Sequence, residues 1–375
     1  MYICSGNIYT AIHMGSSKGC VVLVTGGSGF LGQHVVGLLQ ERAEHVTEIR
    51  VLDVIPYQNN LDHVERIPVQ QYVGSVTDSG LVHRACVGVT CVMHLASIVD
   101  MSLLPKVHLS RQINVEGTKN VIVACRKNGV KRLLYCSTVE VVTGANNIYD
   151  GTEDNTEYVT NHLFKAYGPT KLEAERLVLE ANCHTLQTLA LRPAMMYGEL
   201  EWRSTGYLVT GFLAQKMRSY VRIDCQNGIA EHVYVGNVAW GFVCAETKLH
   251  EGKVEHDITG NSYFIVDDSP KSSVFAFLGE IMTEIGLKPF GPPIPVWCLV
   301  FPLYILYFLL SVISIVYKVN FFVGIAEFLS LTRIYLFRYE KATKKLGYKP
   351  LYSFDESKSR TAKYYKSYLP PRCKD

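Results

Sequence analysis

Apolar residues in the first half of the chain form strand-length runs separated by stretches with helical spacing. The first run, at 21–24, is continuous and rich in β-branched residues, which is typical of a strand buried on both faces. Further strands are predicted at 48–54, 71–75, 89–97, 131–138 and 189–193, and helices at 113–125, 273–285 and 172–180, the last with 167–171 leading into it. Strands and helices in this order predict parallel βαβ units, with functional groups at the carboxyl ends of the strands.

The loop after the first strand has the glycine spacing of a dinucleotide-binding turn. Gly26 permits the tight turn, Gly29 lets a pyrophosphate reach the backbone, and Gly32 lets the following helix pack closely on the strand. Asp53 ends the second strand about 20 residues further on, where a carboxylate accepts hydrogen bonds from the adenosine ribose and repels a 2′-phosphate. No Arg follows it at 54–57, so we expect NAD rather than NADP. A turn or helix-capping role for Asp53 is the alternative on spacing alone.

A second candidate motif, at 167–171, leads into the helix predicted at 172–180. Tyr167 and Lys171 lie one turn apart, and the strand before them ends in Ser137 and Thr138. With 23 Tyr in the chain, such a pair is expected about once by chance, so its position after a dinucleotide fold carries the interpretation. A tyrosine whose pKa is lowered by a nearby ammonium can act as a general base on an alcohol. Thr138 and Tyr167 would then bracket the reacting hydroxyl, and Lys171 would also hold the nicotinamide ribose. This chemistry is hydride transfer.

The second half of the chain contains a long apolar segment. No charged residue lies between Lys288 and Lys318, and 294–317 exceeds the ~20 apolar residues that cross a bilayer. We favour a membrane anchor, either a single helix or a hairpin with the apolar stretch at 321–337. The alternative is a buried helix pair that forms an apolar substrate entrance. The basic residues that follow either contact anionic headgroups or form a solvated surface.

Composition narrows the class of protein. A net charge of +3 does not indicate the strongly basic surface that nucleic-acid-binding proteins have. The 11 cysteines include no Cys-x-x-Cys pair and His is not clustered, so neither a metal site nor a redox pair is indicated, and a reducing compartment is expected. We expect five parts: a disordered leader at 1–18, an NAD-binding Rossmann domain with the catalytic residues at 19–200, a substrate-binding part at 201–288, a membrane-associated segment at 289–337 and a basic tail at 338–375.

In this order the motifs resemble those of the 3β-hydroxysteroid dehydrogenase/Δ5-isomerase family of extended short-chain dehydrogenases. The similar stretches are 25–32, 50–53, 114–118, 137–141, 167–171, 191–193, 197–199 and 234–240. The resemblance implies a Rossmann-type doubly wound parallel sheet, a smaller C-terminal substrate-binding part, and oxidation of a 3β-hydroxyl by NAD followed by Δ5-to-Δ4 migration. The catalytic residues that it implies are Tyr167, Lys171, Thr138 and Asn114. The cofactor residues that it implies are Gly26, Ser28, Gly29, Phe30, Leu31, Gly32, Asp53, Ala96 and Lys171.

Three positions depart from the family pattern. Thr138 stands where a second Ser is usual, and Ser75 replaces an Asp that contacts adenine. The helix at 273–285 lacks the Tyr and Lys of steroidogenic members, so the isomerase residues stay unassigned. The stretch 177–182 is most similar to the branch that acts on C27 sterols in bile-acid synthesis.

The partners expected from the resemblance are a steroid or sterol substrate and a lipid bilayer, with a homodimer as a further expectation. The expected location is the endoplasmic reticulum membrane, and also a mitochondrial membrane, with the catalytic part facing the cytosol. Two other functions stay open: a decarboxylating sterol 4-carboxylate 3-dehydrogenase and a non-catalytic NAD-sensing membrane scaffold.

Overall fold

The computed structural model describes residues 19–252, 257–313 and 324–370. The predicted leader at 1–18 lies outside these ranges, as do residues 314–317 of the predicted membrane span. The strands are β1 (Cys20–Thr25), β2 (Val46–Asp53), β3 (Val69–Val73), β4 (Cys91–His94), β5 (Arg132–Cys136), β6 (Ile148–Gly151), β7 (Gln187–Pro193), β8 (Met195–Tyr197), β9 (Ser219–Tyr220), β10 (Ile223–Asp224), β11 (Ile229–Ala230), β12 (His232–Tyr234), β13 (Asn261–Ile265), β14 (Lys288–Pro289), β15 (Ile294–Pro295) and β16 (Ile334–Phe337).

The helices connect these strands and follow the last of them. They are α1 (Phe30–Arg42), α2 (Ser79–Cys86), α3 (Val107–Arg111), α4 (Gly117–Asn128), α5 (Tyr167–Glu180), α6 (Tyr207–Thr210), α7 (Phe212–Met217), α8 (Val235–His250), α9 (Val274–Ile285), α10 (Trp297–Ile313), α11 (Ile325–Ser330), α12 (Glu340–Leu346) and α13 (Phe354–Lys366). Two π-helical turns, Gln112–Glu116 and Trp202–Gly206, and a 3-10 turn, Val139–Val141, complete the described elements.

Seven parallel strands form the central sheet in the order β13-β7-β5-β4-β1-β2-β3. The strand order reverses between β1 and β4, and ligands of open α/β sheets bind beyond the carboxyl ends of the strands at this switch point. The predicted Rossmann-type parallel sheet is thereby confirmed.

Helices cover both faces of the sheet, because the central strands are apolar on both sides. On one face α1 and α8 pack together and bury residues such as Val35 and Phe242. On the other face α2, α4 and α5 bury Val82, Val121 and Val178. The helix α5 ends at Glu180, where the sequence pattern predicts, and begins at Tyr167, so it includes the stretch 167–171. Both faces of the sheet are therefore covered by helices, and a ligand can reach it at the carboxyl ends of the strands.

The C-terminal residues fold onto this body. Strand β16 pairs in parallel with β6 and β11, its Tyr335 and Phe337 are buried, and the Phe337 N–H donates to the Glu231 carboxylate at 3.1 Å. Helices α12 and α13 follow and bury apolar side chains such as Ala342 and Tyr365. The end of the segment predicted at 289–337 is thus a strand of the folded body. Residues 338–370 form packed helices rather than a tail, because their apolar side chains complete the core.

Helix α10 differs from the other long helices in its exposure. It buries no side chain, and Trp297, Phe301 and Phe308 are 64%, 68% and 68% exposed. Among the residues that the structure describes, none of the helices combines the length and the apolar character that a bilayer crossing requires. An apolar helix whose large side chains stay this exposed is unusual, since large exposed apolar patches mark interaction surfaces.

Candidate active site and cofactor site

The glycine loop brings three backbone segments into close contact. Gly26 has a φ of +73°, and its N–H donates to the Leu52 carbonyl at 2.8 Å. A Cβ on Gly26 would lie 2.7 Å from the Ala96 backbone nitrogen, and a Cβ on Gly32 would lie 2.1 Å from the Gly26 oxygen. Gly29 is the N-cap of α1 and offers no side-chain cap. The loop therefore leaves the N-terminal amides of α1, which include those of Phe30, Leu31 and Gly32, available to a phosphate.

Asp53 is fastened to this loop. Its carboxylate accepts from the Ser28 N–H at 3.0 Å and from the Ile55 N–H at 3.2 Å. The Ser28 hydroxyl in turn donates to the Ile55 carbonyl at 2.8 Å. The side chain is only half-buried, and each carboxylate oxygen has a second lone pair. The turn role and the ribose-binding role that the sequence leaves open are therefore compatible in one residue.

A chain of buried hydrogen bonds supports the loop after β4. The Ala96 N–H donates to the Thr25 hydroxyl at 3.3 Å, and that hydroxyl lies 2.7 Å from His94 Nδ1. His94 Nε2 lies 2.9 Å from the Thr118 hydroxyl, which donates to the Asn114 carbonyl at 2.6 Å. Burial lowers the His94 pKa to about 3. His94 is therefore a neutral structural link, and the chain positions Ala96 beside the glycine loop.

Asn114 connects this network to the candidate catalytic helix. It lies in the π-helical turn Gln112–Glu116, where the sequence predicts the start of a regular helix. Its side-chain amide donates to the Ile98 carbonyl and to the Thr170 hydroxyl, each at 3.0 Å, and its oxygen accepts from the Ile98 N–H at 2.8 Å. Single π-turns often occur at functional sites. Here the turn holds the loop after β4 against the first turn of α5.

Lys171 is buried at the end of β5. Its Nζ donates to the Cys136 carbonyl at 2.5 Å and lies 4.3 Å from the centroid of the Tyr135 ring. Burial lowers the Lys171 pKa to about 8, while Cys136 and Glu175 act in the opposite direction. A pKa of this value leaves the ammonium as the main form at neutral pH.

Tyr167 is also buried, and Thr138 lies beside it. Burial raises the Tyr167 pKa well above its ordinary range, and the nearby Cys136 and Glu140 act in the same direction. The Thr138 hydroxyl acts in the opposite direction. The lowered Tyr167 pKa that the sequence predicts is not found, because desolvation of the phenol raises it. The Lys171 ammonium is engaged with the Cys136 carbonyl.

Two charged residues near Tyr167 were not among the sequence candidates. Glu140 is half-buried, accepts from the Thr143 hydroxyl at 2.8 Å, and has a pKa raised to about 7 by burial. Arg203 acts on Tyr167 in favour of the phenolate. Its guanidinium donates to the Val99 carbonyl at 2.7 Å and to Glu327 of α11 at 2.9 Å. Glu140 follows Thr138 by two residues, which is a usable signal, whereas the position of Arg203 depends on tertiary structure alone.

A buried ion pair anchors the same helix behind the site. Arg192 donates to the Glu175 carboxylate through Nε at 3.0 Å and through a terminal nitrogen at 2.5 Å. The Tyr158 hydroxyl donates to the same carboxylate at 2.7 Å. Glu175 lies one turn after Lys171, so this pair fixes α5 against β7.

The structure brings Thr138, Tyr167, Lys171 and Asn114 together at the carboxyl edge of the sheet, the same edge at which the glycine loop and Asp53 lie. Fold and site together define an NAD-dependent oxidoreductase of the short-chain dehydrogenase type. The chain belongs to the 3-beta hydroxysteroid dehydrogenase/isomerase family, whose sequence profile matches residues 23–295. Its cofactor is NAD, and the glycines that a Cβ would obstruct fit that group.

Known proteins similar to this chain agree with the family. The 3 beta-hydroxysteroid dehydrogenase type 7 of Mus musculus is 33% identical over 359 residues, which cover 92% of this chain and 95% of that protein. The Homo sapiens protein of the same name is 34% identical over 368 residues, covering 91% and 94%. Among solved structures, dTDP-glucose 4,6-dehydratase of Bacillus anthracis in complex with NAD has a TM-score of 0.65 at 18% identity, with 93% and 97% of the two chains covered. This last similarity concerns the fold.

Proposed function

We propose that this protein oxidises the 3β-hydroxyl of a Δ5 steroid or sterol to the 3-ketone. The observation that carries the proposal is the placement of Tyr167 and Thr138 side by side at the end of β5, with Lys171 one turn further along α5. NAD, held by the glycine loop and Asp53, would supply the hydride acceptor. Thr138 holds the substrate oxygen, and Tyr167 takes the hydroxyl proton. Arg203 and the Lys171 ammonium favour the charge that develops on the phenol during this step.

Glu140 is our candidate for the isomerisation that follows. A carboxyl group with a pKa near 7 can both take and return a proton at neutral pH. The Glu140 carboxylate would remove a proton from C4 of the 3-keto-Δ5 product and return a proton to C6. The double bond then moves to Δ4 with no net oxidation.

The helix α10 supports a membrane location for the protein. Its exposed aromatic and aliphatic side chains suit contact with lipid, and α11 follows it along the chain and reaches the site. Arg203 pairs with Glu327, and a Cβ on Gly324 would lie 2.1 Å from the Met101 carbonyl oxygen. We propose that the apolar segment attaches the protein to the endoplasmic reticulum membrane and that a sterol enters the site from there.

The assay uses membranes that carry the full chain, NAD, and a panel of C19, C21 and C27 3β-hydroxy-Δ5 steroids. NADH and the conjugated enone are followed separately. We expect Tyr167→Phe to lose NADH formation and keep NAD binding, while Tyr149→Phe, at an exposed tyrosine, keeps both. Turnover of no steroid by the wild type contradicts the substrate class, and full activity of Tyr167→Phe contradicts the mechanism. Loss of carbon dioxide from a 4-carboxysterol would identify the decarboxylating alternative by product mass.

Two further measurements test the finer steps. Glu140→Gln is expected to form NADH without enone, and the wild-type enone rate should rise with pH through about 7 as the carboxyl ionises. Enone formation by Glu140→Gln at the wild-type ratio contradicts this role. For the membrane, alkaline carbonate should leave the protein in the pellet, and its release into the supernatant contradicts the attachment.

A further inference from the structure

Four potential metal ligands meet at the opposite end of the sheet from the glycine loop. Among the described residues, Cys20, His45, Glu246 and His250 place one ligand atom each so that all lie within 4.8 Å of one another. Cys20 begins β1, and the glycine loop follows Thr25 at the other end of that strand. We propose that this cluster binds a divalent transition-metal ion, with Zn²⁺ as the ion that its chemistry suits best.

The ligands come from three separate parts of the fold. Glu246 and His250 lie four residues apart on α8 and therefore share one face of the helix. His45 lies in the loop between α1 and β2, and Cys20 begins the central strand. This explains why spacing along the sequence predicts no metal site: the strand, the loop and the helix end meet only in the folded chain.

The contacts are close to those of a tetrahedral site. All four ligand atoms lie within 4.8 Å of one another. The Cys20 Sγ lies 3.5 Å from Glu246 Oε1, the neighbour of the oxygen that faces His45, and the rings of His45 and His250 stack with centroids 4.2 Å apart. Zinc bonds of 2.0–2.3 Å place tetrahedral ligand atoms about 3.5 Å from each other. His45 Nε2 lies 2.5 Å from Glu246 Oε2, which is a hydrogen bond in the metal-free chain. A metal ion would replace that proton and move the two atoms apart.

Arg132 is the group that competes with a metal ion. Its guanidinium lies 3.1 Å from Glu246 Oε1 and 3.3 Å from Cys20 Sγ. It contacts a different carboxylate oxygen from the one that faces His45, so the second oxygen stays available to the ion. In metal sites, the ligand side chains are usually hydrogen-bonded to a second set of residues that do not contact the ion. The two negative charges of the Cys20 thiolate and the Glu246 carboxylate together balance the positive charge of Arg132 and one of the two positive charges of the ion.

The soft thiolate and the two imidazoles favour zinc over calcium or magnesium, which prefer oxygen ligands. A metal here would fasten the start of β1 and the loop before β2 to the end of α8. The cluster contacts none of the candidate catalytic side chains described above. We therefore infer a structural role, which is independent of the substrate proposed for the active site.

The test uses the purified full chain, stripped with a chelator and titrated with Zn²⁺ or Co²⁺. We expect one ion per chain, a thiolate-to-cobalt charge-transfer band, and a higher Tm with Zn²⁺. Cys20→Ser should lose the band, and His250→Ala, at an exposed position, should weaken binding at least tenfold. Cys183→Ser and His184→Ala, at exposed positions outside the cluster, serve as matched controls.

The competing explanation is an ion-pair network of Arg132, Glu246 and His45 that needs no metal. Under it, titration gives no stoichiometric binding, the cobalt band is absent, and Zn²⁺ leaves the Tm unchanged. Any of these results overturns the proposal, as does wild-type affinity in His250→Ala. Far-UV circular dichroism and NAD binding of each variant show that its fold is intact, so that loss of the metal is not mistaken for unfolding.

Discussion

The buried ion pair behind the active site offers the sharpest stability prediction. Arg192 is only 3% exposed, and the Glu175 carboxylate is its ion-pair partner. The change Glu175→Gln keeps the shape of the side chain and leaves the guanidinium buried without a counter-charge. Because Glu175 also favours the charged form of Lys171, we expect both lower stability and lower activity at neutral pH.

The size of the stability loss depends on whether a charge is left buried without its partner. Breaking a buried ion pair on one side costs about 3–5 kcal/mol, whereas replacing both partners is often close to neutral. A single domain has about 5–15 kcal/mol of stability in total, so Glu175→Gln removes a large part of it. The double variant Glu175→Gln/Arg192→Met should recover most of the loss, so it should be several kcal/mol more stable than the sum of the two single changes predicts.

Urea unfolding of the NAD-free chain, followed by fluorescence and by circular dichroism, measures these free energies. The control is Glu173→Gln on the same helix, since Glu173 pairs with Arg111 at the exposed surface and its loss should leave no measurable change. If the double variant is as unstable as the sum of the two single variants, the pair is not coupled and the reasoning fails. A double variant that recovers stability but not activity agrees with the reasoning, because the Glu175 charge that acts on Lys171 is absent from the single and the double variant.

The remaining predictions concern the cofactor loop and the buried lysine. Gly32→Ala should cost about 1–3 kcal/mol of stability and abolish NAD binding in titrations, because its Cβ would lie 2.1 Å from the Gly26 oxygen; Gly80→Ala, at an exposed position of α2, is the control that should bind normally. Asp53→Ala should weaken NAD binding about 10- to 150-fold, the value of charge-assisted hydrogen bonds, and reduce discrimination against NADP; equal NAD affinity would refute its ribose role. Lys171→Met should lose most oxidation yet gain stability below pH 8, since the folded chain holds this charge with a pKa of about 8 against 10.5 in the unfolded chain. That gain should shrink as the pH rises from 8 to 10.5, and a gain that stays constant with pH contradicts it.

The sheet and the cofactor loop could be predicted from the sequence because their signals are local. A continuous β-branched run, a glycine-spaced turn and a helical pattern follow one another between Cys20 and Arg42, and each has one main structural solution. Tyr167 and Lys171 were predicted by the same logic, since one helix holds both. The short strands of the second half, such as β9 and β10, carry too few residues for a periodic signal.

What the sequence could not predict depends on tertiary contacts. Arg203 reaches the Tyr167 region from the turn Trp202–Gly206 and pairs with Glu327, more than one hundred residues away. The end of the apolar segment has the composition of a membrane-associated stretch. It nevertheless forms β16, because two partner strands and the Glu231 carboxylate provide hydrogen-bond partners for its backbone. The prediction of a lowered Tyr167 pKa failed for a different reason: the sequence places Tyr167 and Lys171 one turn apart on one helix, but it does not show how deeply the phenol is buried.

Burial is also what connects the stability of the site to its chemistry. Desolvation disfavours the charged forms of both Tyr167 and Lys171, so the free chain keeps the phenol protonated and inactive as a base. In the proposed mechanism, proton transfer then requires an alcohol in contact with Tyr167 and positive charge from Arg203 and Lys171 at the moment of reaction. Glu175 maintains the second of these charges from behind the helix. The apolar surroundings that make these buried groups costly for folding therefore also keep Tyr167 from acting as a base until a substrate is bound.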